Sequence, residues 1–283
     1  MSELDFMFEK NPSLGDKTKV NYRNLYKRVI EMIEGTIHAT LNSNLVKIIK
    51  RFKVSATAKN ALLNVCVKIK QAYGESIEEL IKFRNYLFEL AAKEKVEQHL
   101  VLQETLPSFE EMKVWIDTLY DKGEYKKFVI NWLLFNFGVR NMDLDCNVAF
   151  DGKRLDKKHN WLNIKVGSVD YVRNRYKTFK TYGQKKNIIK NPKFIDACAK
   201  MELAPKQSLL SLTGGEDIPE TQLAQIISRY TMNGLGEGKI FKILVENSTV
   251  AGLERLSKNR GTNIATIVSA YNLHQDVESE DSS

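Results

Sequence analysis

Residues 128–145, FVINWLLFNFGVRNMDLD, constrain this chain more than any other stretch. Val129, Trp132, Leu133, Phe135 and Asn136 recur at helical spacing, so the segment predicts an apolar helix that must be buried. Gly138 interrupts that helix and Arg140 follows at once. A second short helix is expected near Asn141, with Asp143 in its first turn, where a carboxylate suits the helix dipole. A guanidinium delivered beside a core wants a fixed anionic partner, and its planar fork matches a phosphate. The plainer alternative is a surface pair between Arg140 and Asp143 or Asp145.

Composition narrows the class. The chain has 283 residues, which sets a prior of one large or two ordinary domains, and its 43% hydrophobic content is enough for a core. The net charge of +8 and pI near 9.1 point to a polyanionic partner, nucleic acid first and an acidic membrane surface second. An ordinary basic protein is the competing explanation. Cys66, Cys146 and Cys198 are far apart and share no metal-ligand spacing, so the expectation is a reducing intracellular compartment, without a disulfide framework or zinc site. No apolar run reaches membrane-spanning length, and MSELDFMFEKN does not read as a secretory signal.

The chain divides by pattern. Residues 1–15 read as an N-terminal arm carrying Phe6, Met7 and Phe8, which dock on a neighbour or, more simply, on the arm's own first domain. Residues 16–98 read as helices only, with Asp16 as the expected cap of the first and a last helix over roughly 75–96. Lys17, Lys19, Arg23 and Lys27 line one helix; Lys47, Lys50, Arg51 and Lys53 line the next. Cations placed this way suit phosphate tracking without base reading, although any single basic face is also what a solvated helix looks like. Residues 99–107 break the helical period and end in Pro107, which predicts a linker. Ser108 with Glu111 predicts a capping box. From 145 to 190 the period becomes strand-like: 159–167, 168–178 and 185–191 predict a small antiparallel sheet, with Lys177, Lys180, Lys185 and Lys186 near its hairpin. Helices return over 192–275, and 276–283 reads as an acidic disordered tail.

Arg, Lys and Tyr without metal-ligand spacing suit one reaction in particular. A Tyr oxygen attacks a phosphodiester in line, cations hold the charge that builds on phosphate, and a Lys protonates the leaving sugar oxygen. At these residues the sequence resembles the tyrosine recombinases, the phage-integrase-like site-specific recombinases, over roughly 15–275. The motifs are FNFGVRNMDL (135–144), RNRYKTFKTYG (173–183) and SAYNL (269–273). The resemblance implies a mainly α fold with a small antiparallel sheet, in two domains: a helical core-binding domain at 16–98 and a catalytic domain at 108–275. It implies that Arg140 binds the scissile phosphate with Asp143 in support, that Lys177 or else Lys180 is the hairpin lysine, and that Tyr271 is the nucleophile. It further implies a 3′-phosphotyrosyl intermediate, double-stranded DNA as partner, four protomers on DNA, and no metal or nucleotide cofactor.

The sequence departs from that family at its second box. GKIFKILVEN (238–247) places Lys239 and Lys242 where a His or Lys and a second Arg belong, and Lys lacks the bidentate fork. Arg260 is the rival for the second Arg, and Lys258 or Asn259 stands nearest to the family's further His or Trp. Each residue also has a plain reading. Tyr271 shares a helical face with Ile264, Ile267 and Val268, Lys177 is one of many hairpin lysines, and Arg260 before Gly261 caps a helix. Three functions stay open at this point: a DNA strand-cutting and rejoining enzyme, a decayed recombinase-like protein kept for DNA organisation or packaging, and an unrelated helical interaction module. The Lys- and Asn-rich usage suggests a viral or mobile-element source, with cytoplasm, nucleus or viral factory as the compartment.

Overall fold

The structure, a computed structural model, describes residues 2–152, 155–211 and 218–271, with the side chains of 95, 96, 98–104, 270 and 271 excluded. The chain divides into two compact units, Met1–Glu104 and Thr105–Ser283. The tail at 276–283 lies outside the described residues.

The first unit is helical: α1 (Glu3–Lys10), α2 (Asp16–Ile30), α3 (Asn42–Arg51), α4 (Ala56–Ala72) and α5 (Glu78–Thr105). Residues 1–15, read as an arm, contain α1, whose Met7 and Phe8 are buried in this unit's own core with Leu45, Ile49, Leu63 and Ile69. Glu3 fixes α1 in place, because its two carboxylate oxygens accept from the Ile37 and His38 amides, each at 2.9 Å. Two expectations need correction here. The N-cap of α2 is Gly15, not Asp16, which is the first helical residue. The expected linker at 99–107 is helical through Thr105, as α5 runs on without a break. His99 to Leu102 contain no helix breaker, so propensity carries the helix to the Pro107 boundary.

The second unit begins with α6 (Phe109–Asp121), whose capping box between Ser108 and Glu111 is present as expected, and α7 (Tyr125–Phe137). A 3-10 turn at Asn141–Leu144 leads to β1 (Cys146–Phe150), β2 (Asn160–Lys165) and β3 (Ser168–Arg173); α8 (Phe179–Tyr182) precedes β4 (Lys185–Ile189). The helices α9 (Pro192–Lys200), α10 (Leu223–Ser228), α11 (Glu237–Glu246), α12 (Val250–Arg260) and α13 (Ile264–Tyr271) complete the unit. The sheet order is β1-β2-β3-β4. It is mixed, which corrects the antiparallel expectation: β2–β3 and β3–β4 are antiparallel, but β1 pairs parallel with β2. The chain turns out of β1 at Asp151, φ 45°, with the Gly152 amide donating to Asn163 Oδ1 at 2.9 Å. The helix α7 is buried against α6, α9 and α11, and Phe128, Leu133 and Leu134 join Leu162, Tyr171 and Phe194 in one core. Among the described residues, no helix is long and apolar enough to cross a membrane.

Candidate anion-binding site

The end of α7 sets the site. Gly138 caps the helix at φ 59°, in the left-handed region, and a Cβ there would stand 2.6 Å from the Phe241 ring. Only glycine meets both demands. Val139 then turns into the core and Arg140 out of it.

Arg140 reaches beyond its neighbours in sequence. Its backbone N–H donates to Asp143 Oδ2 at 3.2 Å, while its Nη1 donates to the Arg260 carbonyl at 2.7 Å. Arg260 answers in kind, with Nη1 donating to the Gly138 carbonyl at 2.9 Å. The Arg260 guanidinium also pairs with Glu237 at 2.5 Å and lies 3.9 Å over the Phe241 ring centroid, leaving the residue 2% exposed. Glu237 binds the Asn141 amide with its other oxygen, so one carboxylate ties α11 to both sides of the crossing.

The buried carboxylate of Asp143 has a partner that the sequence reading missed, Arg173 at the end of β3. Arg173 Nη1 is 3.3 Å from Asp143 Oδ2 and donates to the Asn259 carbonyl at 2.9 Å; its Nη2 donates to Asn187 Oδ1 at 3.0 Å. Both residues of the pair are fully buried. Burial pushes the Asp143 carboxyl above the usual range, and the adjacent Arg173 and Arg140 charges oppose that rise. A signal for Arg173 did exist. Val169, Tyr171 and Arg173 alternate onto one strand face, and a guanidinium in that register requires a built-in anion.

These cations meet at the C-terminal turn of α12. A helix leaves its last carbonyls without backbone partners and carries partial negative charge there. Here Lys185 donates to the Lys258 and Asn259 carbonyls, Arg173 to Asn259, Arg140 to Arg260, and Thr178 to Gly261. Gly261 has φ 63°, and a Cβ would meet Thr178 Oγ1 at 2.6 Å and Lys185 Nζ at 2.9 Å, so this close approach also needs glycine. Burial, with Arg173 adding repulsion, lowers the Lys185 amine to about 8. An amine in that range can give up or accept a proton near neutrality.

A cleft of about 700 Å³ opens beside this turn. Among the described residues its lining includes Arg173, Lys185, Lys186 and Lys258 and no carboxylate, so the charge they supply favours an anion. Carboxylates stand nearby, since Lys186 also pairs with Asp170 at 2.9 Å.

The structure thus brings together Arg140, Asp143, Arg260, Lys185 and Lys258. Lys177 and Lys180 are exposed on the connection between β3 and β4, Lys239 is exposed on α11, and Lys242 is half-buried on the same helix; none of the four lines the cleft. Tyr271 ends α13, whose Ile267 is fully buried; His274 lies outside the described residues. In the first unit, Lys17, Arg23, Lys27, Lys47, Lys50, Arg51 and Lys53 are exposed and Lys19 is half-buried. Among the described residues, no group of three or more His, Cys, Asp or Glu side chains is arranged to hold a metal ion.

No protein-family model matches this chain, and no curated protein matches it. Among solved structures it is similar to the crystal structure of XerA recombinase, with 10% identity and a TM-score of 0.37, over 96% of this chain and 94% of that one.

Proposed function

We propose that this chain cuts and rejoins duplex DNA through a covalent tyrosyl intermediate. The observation that carries the reading is the convergence of Arg140, Arg173 and Lys185 on one turn beside a cationic cleft, directly before the helix that ends in Tyr271. In this reading the Tyr271 oxygen attacks the phosphorus, the bond from phosphorus to the 5′ oxygen breaks, and the 3′-phosphotyrosyl link keeps the bond energy for rejoining. Arg140 holds the non-bridging oxygens. A lysine ammonium protonates the departing 5′ oxygen. Lys177 and Lys180 are the candidates by motif, and Lys185 is the one whose lowered amine suits the role. Lys239 takes the place of the second box's first residue and Lys242 that of its arginine, while buried Arg260 holds Arg140 in position. Exposed lysines of the first unit track phosphates, and exchange between two duplexes takes four protomers.

A second reading, a DNA-binding protein without strand cleavage, is favoured by a specific observation. Arg260 is buried among Glu237, Gly138 and Phe241, and the second-box positions hold lysines without a fork. Covalent trapping separates the two. A pool of nicked duplexes with randomised sequence around the nick should yield an adduct that survives denaturation. Tyr271→Phe should abolish the adduct while DNA affinity stays at the wild-type level, because only one oxygen is lost. Wild-type protein that binds the pool and never forms an adduct would establish the second reading in place of the first.

A further inference from the structure

The cleft beside the α12 turn offers more than positive charge. Four amide residues line it, and for three of them, Gln184, Asn187 and Asn263, the polarity of the side chain is set by bonds it already makes. Asn187 Oδ1 accepts from Arg173 and Asn263 Oδ1 accepts from the Thr266 amide at 2.7 Å, so each has its NH2 as the group for a ligand. Gln184 Nε2 donates to Asn174 Oδ1, so its oxygen is the group for a ligand. A backbone phosphodiester has only acceptors and finds no use for the Gln184 carbonyl. A nucleobase edge carries donors and acceptors together and matches this set. Tyr182 supplies an aromatic face on the same cleft, 50% exposed, with the Lys185 Nζ 5.3 Å from its centroid. An open aromatic ring next to cations is the arrangement on which unpaired bases stack. The cleft volume of about 700 Å³ falls within the range of about 300–1,000 Å³ for small-molecule sites.

We propose that this cleft takes one unpaired nucleotide of a DNA strand, its phosphate near Lys258 and Lys186, its base on Tyr182 and its edge against the three amides. The proposal rests on the DNA reading above but not on strand cleavage, so it holds for either form of that reading.

The test compares the full chain on three probes: a fully paired duplex, the same duplex with a single unpaired nucleotide, and free deoxyadenosine monophosphate as competitor. The bulged duplex should bind about tenfold more tightly than the paired one, the scale of one base stacked on an aromatic side chain. Tyr182→Ala should remove that preference and Tyr182→Phe should keep it. Lys258→Ala should weaken both duplexes. A large excess of the free nucleotide should displace neither. Equal affinity for the two duplexes, or a preference that survives Tyr182→Ala, would overturn the proposal. Displacement of the bulged duplex by the free nucleotide would overturn the strand as its source. No binding to either duplex would overturn the DNA reading itself and this inference with it, whereas a preserved preference without any covalent adduct would support the inference and count only against cleavage.

Discussion

Two sets of basic residues, one in each unit, live in opposite surroundings. In the first unit Arg23 and Arg28 lie over the Phe8 and Phe52 rings at 5.1 and 5.6 Å, Lys50 over Phe83 at 5.4 Å, and all three cations stay exposed. In the second unit Arg173 and Arg260 are shut away from water, bound to carboxylates and backbone carbonyls. An exposed cation is screened by salt and adds little to stability, whereas a buried one must be paired and fixed, so its geometry is unique. The first set suits contact with any phosphate. The second suits holding one group in one orientation.

The buried pair gives the largest expected break in that contrast. Arg173→Ala leaves Asp143 in a dry site without its partner and should cost about 3–5 kcal/mol, read by chemical denaturation. Lys27→Ala on α2 should stay within about 0.5 kcal/mol. Equal effects would erase the distinction between the units.

Arg140→Ala comes next. Under the cleavage reading, adduct yield should fall by about 10²–10³-fold, the scale of removing one donor from a developing oxyanion. Arg140→Lys keeps the charge and loses the fork, so it should recover little of the yield. Full recovery would mean that Arg140 serves only as a cap for α12.

The glycines sharpen the same comparison. Gly138→Ala drives a Cβ to within 2.6 Å of Phe241 in a left-handed backbone; the overpacking should cost about 1–3 kcal/mol beyond backbone strain. Gly74 has φ 72° but nothing within 4 Å of its Cβ position, so Gly74→Ala should show the strain alone, about 1–2 kcal/mol. Thermal melts of the two variants would separate the terms.

Salt and pH carry the smallest effects. Lys47→Ala should lower the slope of log affinity against log salt by about 0.9 if that lysine meets a phosphate, and Arg173→Lys should leave the slope unchanged. Lys185 titrates near 8 in the folded chain against an ordinary 10.5. Between those values the unfolded chain binds more protons, so this residue makes stability rise with pH across that window. Its contribution to DNA affinity should instead fade as pH rises through 8, and Lys185→Arg should flatten that fall. A wild-type affinity unchanged on either side of 8 would show that the Lys185 charge does not reach the DNA.

Much of the local architecture was legible in the sequence. The 3.6-residue period and Gly138 predicted α7 and its abrupt end; Ser108 and Glu111 predicted the start of α6; the two-residue alternation found β2, β3 and β4. These features are written in neighbouring residues, because helix caps and strand faces are decided within one or two turns of chain. The parallel placement of β1 was not legible, since the short run CNVAF has no alternation that would separate it from a loop, and its partner strand is chosen by packing. Nor was the continuation of α5 past residue 99, where the apolar period changes although the helix runs on.

The site divides in the same way. Sequence alone singled out Arg140 and placed Asp143 beside it. Tertiary structure decided what they touch, because Arg140 meets Arg260 across 120 residues of chain and Arg173 meets Asn259 across 86. A buried guanidinium must find its acceptors wherever the fold brings carbonyls and carboxylates together, and no local pattern records which helix end that will be. The sequence therefore determined that a cation would stand at the end of α7, and only the packing of α12 against β3 and the α7 terminus decided that several would share one turn.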